Sequence, residues 1–310
     1  MSGRVDVMVA GEYYCDLIFS GLSAPPALGG EVFAERLAGR PGGCYNMALG
    51  LTRLALRAAW ASDLGTDRFS GIVRDAAKAD GLDASAFREV RRSLQQVSVA
   101  FSGAGERGFI TYREGTLRAP DTALLARLQP KWLLQTFRLE PDWMAFMRTA
   151  KAAGVKIFGD CNGEGADLDS AGVREFIGLC DVFSPNETEA EAVTKTRNVE
   201  DALQILSRLA PVVVIKRGPQ GASAMASGRR HDVRAPQVIV VDTVGAGDAF
   251  AAGFIAAAVA GASIEDQLLS AVACGSLSAT GPGSSANPSA GDLRAFITRM
   301  HPTPSYAPTA

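Results

Sequence analysis

The sequence predicts an α/β fold, a mainly parallel sheet with helices on both faces, plus a small β lid. Three observations predict it. Short apolar runs alternate with helical stretches along most of the chain, as a parallel sheet covered on both faces requires. Two segments, 16–40 and 93–118, break that rhythm with Gly- and Pro-rich turns between short extended runs. The last part of the chain is helical.

Residues 5–10 read as a short buried strand ending at Gly11, and 44–54 as a helix. Ala58–Ala61 is the next strand, and 70–80 a helix closed by Gly81. Strands follow at 132–135, 155–158, 182–183, Val212–Lys216 and 222–225, with helices at 142–153, Glu187–Thr194 and 199–209 between them. A strand-like 238–241 precedes helices at 247–260, 264–280 and 289–299. Segment 16–40 carries Pro25, Pro26, Gly29 and Gly30; segment 93–118 alternates over 96–101, turns at Gly103-Ala104-Gly105 and resumes at 108–112. Both read as a lid projecting from the sheet edge, with ordinary surface hairpins as the alternative. The tail after Met300 is Pro-rich and expected to fray.

The bounds are consistent with one enzyme-sized domain over 1–310. Hydrophobic residues make up 47%, enough for a large core. A net charge of −2 gives no bias toward nucleic acid or an anionic membrane. The start of the chain lacks a long apolar segment, and the apolar run 246–260 contains Asp248 and Gly253 and is too short to span a bilayer. Cys15, Cys44, Cys161, Cys180 and Cys274 are scattered without a C-x-x-C pair, which predicts reduced thiols in a cytoplasmic protein. His231 and His301 are the only histidines, which argues against a His-based triad or a multi-His metal site.

The strongest chemical signal is Asp242-Thr243-Val244-Gly245-Ala246-Gly247-Asp248-Ala249-Phe250. Gly245, Ala246 and Gly247 let the chain turn tightly and aim backbone N–H groups at an anion, and a helix starting there adds its positive dipole end. A carboxylate in a phosphate cradle would repel its ligand. Asp248 fits if it faces an attacking hydroxyl, aligning it and accepting its proton as an O–P bond forms. A capped helix after a glycine turn is the plainer reading, but the nine-residue string is far more specific than a lone G-x-G.

With that string, the sequence resembles the ribokinase-like, or phosphofructokinase B, family of carbohydrate kinases, whose signature D-T-x-G-A-G-D is matched by Asp242 to Asp248. The resemblance covers most of the chain. Gly42-Gly43 and Asn46 look like the substrate-side glycine motif, and Asp16 like the acidic residue that binds substrate hydroxyls. Asn186 and Glu189 in Ser184–Ala190 resemble the N-x-x-E motif, and Lys216-Arg217-Gly218-Pro219-Gln220-Gly221 the nucleotide-site turn.

The resemblance implies a phosphotransferase with an alcohol group as acceptor, using ATP and Mg²⁺, with Asp248 as catalytic base. Asn186, Lys216, Gly218 and Gly221 would meet the nucleotide, Glu189 would hold magnesium through its waters, and Asp242 with 278–284 would bind potassium. Gly42, Gly43, Asn46, Asp16 and Arg113 would line the substrate site. The implied acceptor is a small sugar or sugar-like molecule, and the implied assembly a homodimer through the lid. A plain β-turn at 218–221, a capped surface helix at 186–189 and a loop aspartate at 16 are the simpler alternatives.

Departures from the family pattern leave the acceptor open. Two residues separate Gly43 from Asn46 where three are common, so Pro41-Gly42 is an alternative alignment to Gly42-Gly43. Asp160-Cys161-Asn162 resembles a fructokinase-like D-x-N element, yet Gly163 and Glu164 follow where an arginine is common. Lys216 stands where a hydroxyl residue is frequent. Arg36, Arg40, Arg113 and Arg138 keep a 2-keto-3-deoxy sugar acid or a sugar phosphate in play, although an exposed arginine is the simpler reading of Arg113 and Arg138. A nucleoside kinase of the same fold is a further alternative, and a sugar-binding relative without chemistry would not need Asp248. Asp16, Asn46 and Asp248 favour a neutral sugar. A Rossmann dehydrogenase is disfavoured, because no G-x-G-x-x-G follows the first strand.

Overall fold

A computed structural model of the chain describes residues 4–103, 106–161, 165–281 and 286–300. The Ala104 and Gly105 turn, Asn162 to Glu164, part of the 278–284 segment and the tail after Met300 lie outside the described residues. Its main sheet has eight strands in the order Arg229–Val233, Ala222–Ala226, Val212–Lys216, Val182–Ser184, Lys156–Asp160, Trp132–Thr136, Val7–Ala10 and Ala58–Ala61. The six strands from Val212–Lys216 onward are parallel; the first two form an antiparallel hairpin at one edge.

Alternation within each strand divides the core into two layers. Val7, Val9, Leu134, Phe158 and Val214 face a layer built with helices Cys44–Arg53, Ala246–Val259 and Ile264–Ser278. Met8, Leu133, Ile157, Val213 and Ile215 face the opposite layer, built with Pro141–Ala152, Val173–Leu179, Glu187–Thr194 and Val199–Leu206. Strands buried on both faces read in the sequence as apolar runs, which is why most were found there.

A second sheet of four strands stands apart, in the order Arg36–Gly43, Tyr13–Ser20, Gln96–Gly103 and Glu106–Arg113. The central pair is parallel and the outer pairs antiparallel. Its register gathers Tyr14, Asp16, Arg40, Gly42, Gln96, Ser98, Thr111 and Arg113 on one face. Tyr13, Cys15, Leu17 and Val97 take the other, where the Tyr13 hydroxyl meets Ser70 Oγ at 2.9 Å on helix Arg68–Ala79.

The strand expected at 238–241 does not form: Ile239, Val240 and Val241 are exposed. Arg229–Val233 already occupies the sheet edge, and Val241 N–H donates instead to Ala279 O, 2.8 Å away, beyond the Ile264–Ser278 helix. That edge strand, Arg-Arg-His-Asp-Val, has too little apolar alternation to read as a strand. The short helices Ala123–Leu128 and Val173–Leu179 were likewise unseen in the sequence.

Candidate active site

The parallel strands deliver their last residues to one edge of the main sheet, where α/β folds place ligands. Gly11 follows Val7–Ala10, Thr136 ends its strand, Asp160 ends the next, and Lys216 ends Val212–Lys216. A side chain on Gly11 would overlap Thr136 Oγ1 at 2.5 Å, so glycine lets the first strand turn away toward the small sheet. Gly43 caps helix Cys44–Arg53 with φ +63°, and a Cβ there would meet Glu12 O at 2.7 Å. These glycines swing the chain across the sheet edge and bring Asn46 to the first turn of that helix.

Opposite Asn46 lies the start of Ala246–Val259. Gly245 is its left-handed N-cap at φ +80°, and Asp248 stands in its first turn. Asn46 Nδ2 donates to Asp248 Oδ2 at 3.0 Å across 202 residues of sequence. Asn46 is buried, and its Oδ1 has no partner among the described residues. Asn287 Nδ2 donates to Asn46 O, in helix Cys44–Arg53, at 3.3 Å. Burial pushes the Asp248 carboxyl up to about 7, Asp160 adds to the rise, and Asn46 and Lys216 oppose it.

Lys216 Nζ donates to Asp160 Oδ1 at 2.7 Å. Burial works against its charge, but Asp160 and Glu189 outweigh burial and raise its pKa. A Cβ on Gly247 would lie 3.8 Å from Lys216 Nζ, so the ammonium borders the glycine turn. Gly218 and Gly221 take φ +51° and +89° around a single 3₁₀ turn, and Gly221 packs so tightly on Val233 and Ala235 that only glycine fits.

Asn186 and Glu189 form a reciprocal capping box: Glu189 N–H donates to Asn186 Oδ1 at 2.8 Å, and Asn186 N–H to Glu189 Oε2 at 2.7 Å. The plainer reading of that motif therefore holds, and it leaves Glu189 Oε1 for another ligand. Among the described residues no cluster of three His, Cys, Asp or Glu could hold a metal directly. A hydrated magnesium ion, approached through its waters, fits this single carboxylate. Asp242 Oδ1 accepts from Val244 N–H at 2.8 Å, bracing the turn.

On the small sheet, Asp16 faces Gly42, where any side chain would overlap its carboxylate. Burial alone pushes Asp16 up to about 7. Arg113 and Arg138 converge elsewhere, on Glu12, a residue sequence reasoning did not single out. Arg113 Nη1 donates to Glu12 Oε1 at 3.0 Å, and Arg138 ion-pairs with Glu12 and, at 2.5 Å, with Glu140. Burial alone would raise the Glu12 carboxyl, but the Tyr14 hydroxyl and both arginines outweigh it and hold the group low. Arg138 is buried, so the exposed reading fails for it; Arg113 stays half-exposed. Gln96 was also missed: it is fully buried beside Arg113, with neither amide atom partnered among the described residues. Its burial as a polar residue in a lid strand was invisible in the sequence.

A family model described as pfkB family carbohydrate kinase matches residues 7–290. The chain belongs to that family. As a pfkB kinase it is an ATP-dependent phosphotransferase acting on a hydroxyl group. It is 27% identical to a probable fructokinase-7 of Arabidopsis thaliana over 83% of this chain and 84% of that one. It is 27% identical to an ATP-dependent ribose-1-phosphate kinase of Halopiger xanaduensis over 95% and 98%, and 28% identical to a 2-dehydro-3-deoxygluconokinase of Bacillus subtilis over 82% and 83%. Arabidopsis thaliana ribokinase, solved with ribose and ATP, superposes with a TM-score of 0.82 at 24% identity, covering 95% of this chain and 99% of that one. Vibrio cholerae fructokinase, solved with fructose, ADP and potassium, gives 0.77 at 24% identity over 96% and 100%. These confirm the ribokinase fold with its small separate sheet. No helix among the described residues is long and apolar enough to cross a membrane.

Proposed function

We propose that the protein phosphorylates a hydroxyl group of a neutral sugar, with Asp248 as the base. The observation that carries this is the state of the two arginines. Both are engaged by Glu12, and Arg138 by Glu140 as well, so neither is set out to meet a substrate carboxylate or phosphate. The polar face of the small sheet carries Arg40 opposite Asp16, and Asp16 and Asn46 supply acceptors on the cleft side. Asp16 lies on the polar face of the small sheet, and Asn46 Oδ1 awaits a donor. A carboxylate accepts two sugar hydroxyls at once.

In this reading Asn46 orients Asp248, which aligns the acceptor hydroxyl and takes its proton as the O–P bond forms. The N–H groups of Gly245 and Gly247 and the helix behind them receive the transferring phosphoryl charge, while Ala246 N–H donates to Thr243 O at 3.2 Å and holds the turn. Asn186, Gly218 and Gly221 would flank the nucleotide, and Glu189 would reach magnesium through its waters. Magnesium supplies charge neutralisation of the nucleotide phosphates. The small sheet acts as a lid that keeps water from the reaction. Leu37, Ile110 and Tyr112 are exposed on the face away from Asp16, which supports a second copy of the chain as lid partner; a monomer in sedimentation at working concentration would remove that element.

The decisive test is ADP release measured across neutral sugars, sugar acids, sugar phosphates and nucleosides. A neutral sugar is expected to give the highest kcat/KM. A higher value for a sugar acid or sugar phosphate, lost in Arg113→Ala or Arg138→Ala, would replace the neutral-sugar reading with an anionic one. A nucleoside leading the panel would make the protein a nucleoside kinase of the same fold.

A further inference from the structure

We propose that the Lys216 ammonium grips the phosphoryl group during transfer, an inference that rests on the kinase reaction assigned above. Four observations converge on it. Lys216 ends a parallel strand at the ligand edge of the main sheet, beside the nucleotide-side turn at Gly218. Its Nζ borders the Gly245–Gly247 turn, 3.8 Å from where a Gly247 side chain would begin. Asp160 fixes it at 2.7 Å, and its side chain is only 15% exposed. The fourth is electrostatic: Asp160 and Glu189 keep the amine protonated in spite of its burial.

Stability alone does not account for this pair. A buried ion pair at a strand end is commonly matched or bettered by apolar residues of the same volume. Its place beside the glycine turn, at the ligand edge of the sheet, points to chemistry.

An ammonium has three donors. One holds Asp160, which leaves two for phosphoryl oxygens without breaking the pair. The backbone N–H groups of the glycine turn serve one side of the group in flight, and Lys216 serves another. In the step, the sugar oxygen attacks the γ-phosphorus and a new O–P bond forms. The bond from that phosphorus to the β,γ-bridging oxygen breaks, and its electron pair leaves with ADP. The hydroxyl proton passes to Asp248, while Lys216 keeps its protons throughout and acts by charge alone.

Lys216→Met leaves Asp160 buried without its cation and can lose stability for that reason alone, so it is paired with Lys216→Met/Asp160→Asn, which removes both charges. Each is expected to lower kcat about 10²–10³-fold, the size of losing one transition-state donor, with the sugar KM changed less than about threefold. Calorimetry with ADP, magnesium and sugar, with and without aluminium fluoride, gives a readout independent of turnover. Aluminium fluoride is expected to tighten ADP binding in the wild-type protein and not in either variant, each compared with its own affinity for ADP alone. If the double variant regains kcat to within about threefold of wild type, the pair is structural and the proposal fails. Equal tightening in all three proteins, or none in the wild type, overturns it too. Failure of the neutral-sugar reading looks different: ADP release would be fastest with another acceptor, and the aluminium fluoride comparison made with that acceptor would still decide Lys216.

Discussion

The two ends of the cleft treat their carboxylates in opposite ways. Asp160, at the phosphate end, is ion-paired with Lys216 at 2.7 Å. Asp16, at the sugar end, has its charge opposed by burial and no hydrogen bond to it among the described residues. On the proposed reading the cation lies where the nucleotide phosphates bind, and the carboxylate whose charge burial opposes lies where sugar hydroxyls bind. Asp248 stands between them, influenced by both Asp160 and Asp16.

The largest effect should come from the residue shared by both ends. Asp248→Asn keeps the shape and the contact with Asn46 but removes the base, so kcat is expected to fall about 10²–10⁴-fold with nucleotide affinity nearly unchanged. The raised Asp248 carboxyl, at about 7, sets the pH dependence. A base works only when ionised, so kcat/KM in the wild-type protein should drop about tenfold per unit below that value. Near-normal turnover in Asp248→Asn would take the residue out of the mechanism and leave the cleft with no shared element.

The contrast was only half legible in the sequence. The Asp242–Asp248 string is local, so its turn, helix start and acidic residue could be read from consecutive residues. Main-sheet strands were readable because burial on both faces makes them continuous apolar runs. The partners that set charge state were not. Lys216 and Asp160 are 56 residues apart, and Arg138 and Glu12 are 126 apart. Nothing in the periodicity of either segment announces such a pair. Glu12 in particular looks like an ordinary residue after a strand, yet it engages both nearby arginines. The exposed Ile239, Val240 and Val241 misled in the other direction, since an apolar run does not say whether a sheet edge is free.

A smaller effect, and a check on the sugar end, comes from Asp16→Asn. The amide keeps one acceptor and loses the charge, so the sugar KM should rise about tenfold with kcat changed less. Stability should move the other way at neutral pH. Burial raises the folded-state carboxyl to about 7 from its ordinary value of 3.8, so the folded protein holds a proton that the unfolded chain releases. Stability from this group is therefore complete below pH 3.8 and is lost as pH rises through 7. Asp16→Asn lacks that loss. Its melting temperature relative to wild type should climb between about pH 4 and 7 and then level off, by an amount equivalent to about 1–3 kcal/mol. A gap that stays constant over that range would mean Asp16 is not desolvated, and the two ends would no longer differ.

The smallest effect concerns potassium, and it tests how self-sufficient the phosphate end is. Asp242 and Val241 donate their N–H groups to Ala279 O at 3.2 and 2.8 Å, which ties the residue before the glycine turn to the segment after the Ile264–Ser278 helix. A monovalent cation held there by Asp242 would stiffen the turn that receives the phosphoryl group. The turn is already braced, however, by Val244 N–H on Asp242 Oδ1 and by the Asn46 contact to Asp248. Lys216 also brings a permanent charge to the same place. Activation by potassium over tetramethylammonium, at matched ionic strength, is therefore expected to be only about two- to fivefold, and Asp242→Ala should abolish it. Equal rates in the two salts would show that the chain's own cation is enough. An activation of about a hundredfold would show the reverse, that Lys216 leaves most of the phosphoryl charge to be met from solution.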